Sequence, residues 1–122
     1  MTKAVRQQAE TRGRRAEWCA AWWLRLKGYR ILAQRVRTPM GEVDIIARRG
    51  ATLIFVEVKY RPDPDQAAAA LSPKALMRVA RAANFLLGRY AHGCASIRID
   101  AMILCPGRLP RHVEQWWQGA WR

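Results

Sequence analysis

The sequence predicts a single α/β domain in which helices flank a small mixed β-sheet, with elements in the order α-β-β-β-α-β. Three observations lead to this prediction. The chain has 122 residues, which is enough for one hydrophobic core but not for two. A segment with helical spacing of apolar residues precedes three strand-like segments. A second helical segment and a final alternating strand follow them.

The first helix is predicted from about Glu10 to Lys27, because apolar residues recur there at intervals of three and four positions. Gly28 is a natural helix end. Glu17 lies beside the apolar stripe and has two interpretations. It could be a further metal ligand or a water-positioning residue, or it could form an ion pair with Arg14 or Arg25. The stripe consists of Ala16, Cys19, Ala20, Trp23 and Leu24.

Three strands are predicted next, and the second and third form a hairpin. The first strand covers about Tyr29–Arg37, and a turn at residues 38–41 follows it. The hairpin strands cover Glu42–Ala47 and Thr52–Tyr60, with the turn at Gly50 and Ala51. One hairpin face is aliphatic, so helices must cover it. That face carries Val43, Ile45, Ala47, Ile54, Val56 and Val58.

The other hairpin face concentrates charge. The turn position places Asp44 opposite Glu57 and Glu42 opposite Lys59. Two carboxylates with Cβ atoms ~5 Å apart repel by roughly 3 kcal/mol at an effective dielectric constant near 20. A hard dication such as Mg²⁺ would relieve this repulsion, with Asp44 and Glu57 as its ligands and with bound waters able to attack a phosphodiester. Lys59 could then polarise the water or stabilise charge on the phosphate. The alternative is a solvated face with ordinary cross-strand pairs.

The next segment contains an exposed loop at residues 62–65 and then a second helix from Ser72 to about Tyr90. Ser72 is the predicted N-cap, with Pro73 at the first helical position. One helix face is basic and could contact a nucleic-acid backbone, or it could simply be a solvated surface. In the first turn, a lysine and the helix N-terminus could bind a phosphate together. The basic residues are Lys74, Arg78 and Arg81.

The last strand is predicted at Ser96–Leu104, where apolar and polar residues alternate. Arg98 and Asp100 share a face and are expected to form a local ion pair. Residues 106–122 are predicted to be a C-terminal tail within the same domain. The tail tryptophans could stack on unpaired bases, or they could complete a core or a dimer seam. These tryptophans are Trp116, Trp117 and Trp121.

The composition indicates a polyanionic partner. There are 22 Lys and Arg residues against 9 Asp and Glu residues, giving a net charge of +13. Such a chain is expected to bind nucleic acid, DNA or RNA, with an affinity that falls steeply with salt. A GC-rich genome would account for the preference of arginine over lysine, but not for the excess of bases over acids.

The remaining composition excludes several classes of protein. The three cysteines are an odd number without paired spacing, which fits free thiols in a reducing cytosol rather than a disulfide framework or a zinc site. No apolar run approaches the ~20 residues of a membrane span. We therefore expect a cytoplasmic protein that does not enter a membrane, with residues 1–10 flexible.

Two sequence blocks also resemble a known family. Residues 41–47 and residues 55–61 are similar to the two signature blocks of the bacterial YraN family. The resemblance implies a restriction-endonuclease-like fold and a distant relation to Holliday-junction resolvases. It places a version of the PD-(D/E)xK nuclease motif on Asp44, Glu57 and Lys59, with Mg²⁺ or Mn²⁺ as cofactor. By analogy with junction-cutting nucleases it also implies a homodimer. Arg61, which ends the second block, joins the predicted nucleic-acid-binding residues.

Three hypotheses follow from these features. The first is a metal-dependent endonuclease that hydrolyses DNA, including branched DNA, with Asp44, Glu57 and Lys59 as catalytic residues and Glu42 and Glu17 as additional ones. The second is a nucleic-acid-binding module that keeps the nuclease fold without catalysis. The third is a protein-interaction subunit whose tryptophan-rich tail, after Pro110, docks a partner or a second copy.

Overall fold

The structure, a computed structural model, describes residues 2–116, and within the first helix it describes the side chains outside residues 5–12. The described part contains three helices and five strands. In chain order they are α1 (Lys3–Leu26), β1 (Arg30–Thr38), β2 (Gly41–Arg49), β3 (Thr52–Tyr60), α2 (Pro64–Ala70), α3 (Pro73–Tyr90), β4 (Ser96–Leu104) and β5 (Arg111–Val113).

The five strands form one sheet in the order β1-β2-β3-β4-β5. β3 and β4 are parallel, whereas the other neighbouring strands are antiparallel. The parallel pair requires a crossover, and α2 and α3 supply it. The prediction of a mixed sheet flanked by helices is therefore confirmed.

The predicted hairpin is also confirmed, including its register. The β2–β3 ladder pairs Ile45 with Val56 and ends at Arg49 and Thr52, which leaves a two-residue turn. Gly50 in this turn has a φ of +59°, a conformation that glycine adopts without the steric cost of a Cβ atom.

Helices cover both faces of the central strands. On one face α1 packs on β2 and β3, and on the other face α3 packs on the same strands. This arrangement buries the central residues of β2 and β3 on both faces of the sheet. The α1 side includes Ile45, Ala47, Ile54, Val56 and Met102. The α3 side includes Val43, Ile46, Leu53, Phe55 and Leu86.

Val43 corrects one prediction. Regular alternation would place it on the same face as Ile45 and Ala47, but it packs in the cluster on the α3 side. Alternation is interrupted between Val43 and Ile45, at Asp44. The interruption has a direct consequence for the site described below.

Three element assignments differ from the prediction. α1 begins at Lys3 and not near Glu10. α2 begins at Pro64, inside the predicted loop at residues 62–65, and its N-cap Asp63 accepts a hydrogen bond from the backbone N–H of Gln66 at 2.9 Å. The predicted C-terminal tail contains the short strand β5, which extends the sheet beside β4. Short elements of this kind have weak periodicity and depend on tertiary contacts.

The described tryptophan of the C-terminal segment supports the core interpretation. Trp116 packs against a cluster formed by Leu76, Val79, Ala80 and Ile99. Its backbone N–H also donates to the Ile99 carbonyl at 2.8 Å. Trp117 and Trp121 lie outside the described residues. Among the helices that are described, none has both the length and the apolar character needed to cross a membrane.

Candidate functional site: a fork between two strands

The predicted acidic residues meet where β2 and β3 separate. The ladder between these strands extends only as far as Ile45 and Val56. If the ladder continued by one more residue on each strand, Asp44 would lie opposite Glu57. Instead, Asp44 Oδ2 accepts a hydrogen bond from the backbone N–H of Val58 at 2.8 Å. A side-chain oxygen therefore replaces the carbonyl of a continuing ladder, and the strands fork around the Asp44 carboxylate.

Glu57 and Lys59 form the other side of this fork. Glu57 is buried, with only 7% of its surface exposed. Its neighbours along β3, Val56 and Val58, are apolar. Lys59 Nζ lies 2.9 Å from Glu57 Oε1. Alternation along a strand places residues two positions apart on one face, as predicted for this pair. Lys59 thus partly neutralises Glu57.

Asp44 has an unusual affinity for protons. Burial raises its pKa to about 7, and the negative charge of Glu57 contributes further in the same direction. The hydrogen bond from Val58 opposes this change, whereas Glu17 and Glu42 add to it. The pKa of Asp44 therefore reports its burial together with the field of the other three predicted acidic residues. A carboxyl group with such a pKa binds a proton or a cation near neutral pH.

Arg35 is a part of the site that the sequence did not reveal. It lies on β1 between two residues that pair on either side of Asp44, namely Gln34 with Ile45 and Val36 with Val43. Its φ of +52° is rare for a residue with a side chain and costs free energy. The strained residue is thus level with Asp44, where alternation along β2 is also interrupted. Arg35 could have been predicted as part of the site only from the register between β1 and β2.

Glu17 contacts Arg35 and not the partners considered from the sequence. Arg35 Nε donates to Glu17 Oε2 at 2.5 Å. The two expected alternatives, Arg14 and Arg25, lie on the same helix as Glu17, whereas Arg35 comes from the sheet. This hydrogen bond raises the pKa of Arg35. Glu17 therefore links α1 to the strand beside Asp44.

Glu42 has a different neighbour from the one predicted. Its Oε2 lies 3.4 Å from Arg37 Nε across the β1–β2 ladder, and both side chains are substantially exposed. Lys59 meanwhile pairs with Glu57 on its own strand. The predicted Glu42–Lys59 cross-strand pair is therefore replaced by two other pairs. The physical reason is the fork, because β2 no longer follows β3 at this level.

The basic helix lies next to the start of the acidic strand. A Cβ atom built on Gly41 would lie 3.0 Å from Arg78 Cγ. Gly41 also has a φ of +143°, so both its backbone conformation and the approach of Arg78 favour glycine. Lys74, Arg78 and Arg81 are exposed on α3. The predicted N-cap is confirmed, since Ser72 Oγ accepts from the N–H of Ala75 at 3.1 Å.

Arg61 is more constrained than the other predicted nucleic-acid-binding residues. Its Nη1 donates to the Tyr60 carbonyl at 2.7 Å, and its backbone N–H donates to the Leu104 carbonyl at 3.1 Å. The side chain is half-buried. Arg61 thus helps to fix the end of β3 beside β4.

The described residues do not contain a preformed cluster of three or more His, Cys, Asp or Glu side chains arranged for a metal ion. The fork offers two carboxylates, those of Asp44 and Glu57. This is a suitable donor set for Mg²⁺, which commonly takes one or two protein carboxylates and keeps several waters. It is too sparse for a structural zinc site, which takes four ligands, mostly cysteine and histidine.

A second carboxylate of the sheet lies in a contrasting environment. Asp100 on β4 is fully buried. Its Oδ2 lies 3.0 Å from Arg98 Nη2 and 2.7 Å from His112 Nε2. Its Oδ1 accepts from the backbone N–H of Gln115 at 3.1 Å. The predicted ion pair between Arg98 and Asp100 is confirmed as part of this larger network.

The contacts of the His112 ring match one of its two tautomers. Lys27 Nζ lies 2.6 Å from His112 Nδ1. An ammonium group can only donate, so Nδ1 accepts and the ring proton is on Nε2, from which it is donated to Asp100. Burial alone would raise the pKa of Asp100, but hydrogen bonds from His112 and Arg98 outweigh it and lower this pKa.

Comparison with known proteins identifies the family. A model of the "Uncharacterised protein family UPF0102" matches residues 16–104. A UPF0102 protein of Sphingopyxis alaskensis is 55% identical over 118 residues, which cover 97% of this chain and 99% of the relative. A UPF0102 protein of Rhizorhabdus wittichii is 53% identical and covers 93% of this chain and 97% of its own length. One from Caulobacter vibrioides is 44% identical, with 98% of this chain and 100% of the relative covered. The matched segment contains both sides of the fork, and the chain belongs to the UPF0102 family, also called the YraN family.

Proposed function

We propose that this protein is a metal-dependent endonuclease of the restriction-endonuclease-like fold that hydrolyses DNA phosphodiester bonds, including those of branched DNA, in the cytoplasm. The observation that carries the proposal is the fork at Asp44. Its carboxyl group, whose pKa is raised to about 7 by burial and by the charge of Glu57, lies beside a partly buried lysine–glutamate pair. Stability alone does not favour gathering acids in this way.

Asp44 and Glu57 would hold the ion. When bound there, Mg²⁺ or Mn²⁺ would supply Lewis-acid stabilisation of the phosphate and lower the pKa of a water molecule. The fit rests on this chain's own electrostatics, because a dication would counter both the burial and the Glu57 charge that raise the pKa of Asp44. The Val58 N–H holds the Asp44 carboxylate in place, so its orientation is set before an ion arrives.

Other side chains have supporting roles in this proposal. Lys59, whose Nζ lies 2.9 Å from Glu57 Oε1, would donate to the phosphate or orient water. Glu17 is a positioning residue, since it acts through Arg35. Glu42 adds negative potential that favours the ion. Lys74, Arg78 and Arg81 present cations for the DNA backbone along α3.

The test compares ion binding with cleavage in matched variants. Calorimetric titration with Mn²⁺ and with Mg²⁺ should detect binding to the wild type, and Glu57→Gln should weaken it because one carboxylate is lost without a change of shape. Cleavage of junction, flap and single-stranded DNA should require the ion and fall to background in Asp44→Asn. Glu114→Gln is the charge-matched control, since Glu114 pairs with Lys27 at 3.6 Å, outside the fork. It should bind the ion and cut as the wild type does.

Two results would reject the nuclease. One is wild-type protein that cuts none of these substrates with either ion. The other is undiminished cutting by Asp44→Asn. Equal ion affinity of the wild type and Glu57→Gln would separately reject the assigned metal ligands.

A second candidate function is favoured by one observation. Lys59 already lies 2.9 Å from Glu57, so the fork could be neutralised without a dication and serve as a structural feature of a nucleic-acid-binding protein. This alternative predicts salt-sensitive binding of DNA with no cleavage. It also predicts that Glu57→Gln leaves DNA affinity unchanged.

A further inference from the structure

The outward face of α1 carries two tryptophans that the fold does not bury. Trp18 is 63% exposed and Trp22 is 48% exposed. Their ring centroids are 6.3 Å apart and their planes meet at 65°. They are four residues apart and therefore neighbours on one helix face. The opposite side of α1 is the one that packs on the sheet, through Ala16, Ala20, Ala21 and Leu24.

Positive charge surrounds these rings. The Arg25 guanidinium lies 4.9 Å from the centre of the Trp22 ring. Arg14, one turn before Trp18, is exposed. The acidic residue next to Trp18 is Glu17, and it is engaged by Arg35. Exposed indole rings within a cationic surface match the chemistry of unpaired bases and their phosphates.

The same charge argues against a second copy of this chain as the occupant. Two copies joined through this face would bring their Arg14 and Arg25 side chains together, in a protein of net charge +13. Like charges at close range destabilise such a contact. A strand of nucleic acid instead has complementary charge and gains affinity from each phosphate that is neutralised.

We propose that the outward face of α1 binds single-stranded nucleic acid, with unpaired bases stacked on Trp18 and Trp22 and with Arg14 and Arg25 against the phosphates. As a description of substrate, this inference rests on the proposed nuclease function. Glu17 joins this helix to the strand beside Asp44, so a single-stranded arm on α1 leads toward the fork. The substrate class is then DNA that has an unpaired segment next to the bond to be cut.

The test measures binding separately from catalysis. Fluorescence anisotropy with a labelled oligothymidine, in EDTA and in an Asp44→Asn background, compares three proteins. These are the background protein, a Trp18→Ala and Trp22→Ala double variant, and a Leu26→Ala control. Leu26 is also exposed on α1, at 78%, but it has no π face. Stacking predicts at least about tenfold weaker binding for the double variant and unchanged binding for Leu26→Ala.

A second probe isolates the bases. An abasic strand of equal length has the same phosphates, so it should bind the background protein at least about tenfold more weakly than oligothymidine. The double variant should not distinguish the two strands. Both tryptophans are on the surface, so the variants should fold as the background protein does. Circular dichroism is the measurement that checks this.

Several outcomes would overturn the inference. One is equal affinity of the double variant and the background protein for oligothymidine, and another is an equal loss in Leu26→Ala. Binding to anionic phospholipid vesicles that depends on the tryptophans, without such binding to oligothymidine, would assign the face to a membrane surface. A dimer seen by sedimentation that the double variant disrupts would assign it to a second copy. Absence of cleavage in the wild type would reject the nuclease but leave these binding results intact.

Discussion

Two aspartates in neighbouring parts of one sheet have opposite electrostatic environments. Asp100 is fully buried, yet Arg98, His112 and a backbone N–H satisfy its carboxylate and lower its pKa. Asp44 is less buried, but burial and nearby acids raise its pKa to about 7. Burial alone therefore does not decide the charge state. The number of donors and cations around each carboxylate does.

The difference separates a residue that holds the fold together from a residue suited to binding an ion. Asp100 joins β4, β5 and, through Arg98, the Tyr29 hydroxyl, to which Arg98 Nη2 donates at 2.7 Å. It has no remaining demand for a cation. Asp44 has one donor from Val58 and an excess of negative neighbours. A proton would therefore stabilise the folded protein at Asp44, and the proposed dication would act in the same direction.

The largest expected effect comes from breaking the satisfied network. Asp100→Asn should lower the free energy of unfolding by about 3–5 kcal/mol at neutral pH, because it leaves the partly buried Arg98 without its counterion. Because the pKa of Asp100 is lowered on folding, its contribution is present above its ordinary value of 3.8 and is lost as the pH falls through the folded value. Denaturant titrations across this range should show the gap between variant and wild type closing in acid. A cost below about 0.5 kcal/mol would contradict this account.

The opposite sign is expected at the fork. In EDTA near pH 8, Asp44→Asn should raise the free energy of unfolding by roughly 2–4 kcal/mol, because it removes a carboxylate whose pKa is raised on folding. The wild-type penalty is absent below the ordinary value of 3.8 and grows as the pH rises toward about 7. The variant and the wild type should therefore converge in acid. A variant less stable than wild type at every pH would show that Asp44 is mainly structural.

A smaller effect should follow from removing the lysine of the fork. Lys59→Met should lower stability at neutral pH by about 1–3 kcal/mol, because it leaves the buried Glu57 carboxylate without its ion pair. The matched control adds Glu57→Gln to this variant, which removes the unpaired charge and should restore most of the loss. Denaturation of the two single variants and the double variant gives the coupling free energy. Additive losses would indicate that the lysine does not neutralise Glu57.

The smallest effect is expected at the rim of the site. Arg37 pairs with Glu42 at 3.4 Å, but 88% of the Arg37 side chain is exposed. Arg37→Ala should change the free energy of unfolding by less than about 0.5 kcal/mol, because water and salt screen such a pair. Thermal denaturation at low and high salt can measure it. A larger change would show that the charge of Glu42 is strongly coupled to those of Asp44 and Glu57.

Much of the fold could be predicted from local patterns. β3, α3 and β4 have the predicted boundaries, because alternation, a capping serine and a proline at the first helical position mark them directly. The register of the hairpin followed from its two-residue turn. α2 and β5 were missed because seven and three residues respectively are too few for a clear period.

The sequence by itself determined that acids and a lysine share one end of a hairpin, because a two-residue turn and a period of two fix which residues can meet. Only the tertiary structure decided how they meet. The strained Arg35 on β1, the separation of β2 from β3 and the approach of α1 through Glu17 depend on contacts between residues distant in the chain. The same holds for Asp100, whose partner His112 comes from β5. Local patterns specify residue type and spacing, whereas charge states depend on burial and on neighbours that only packing brings together.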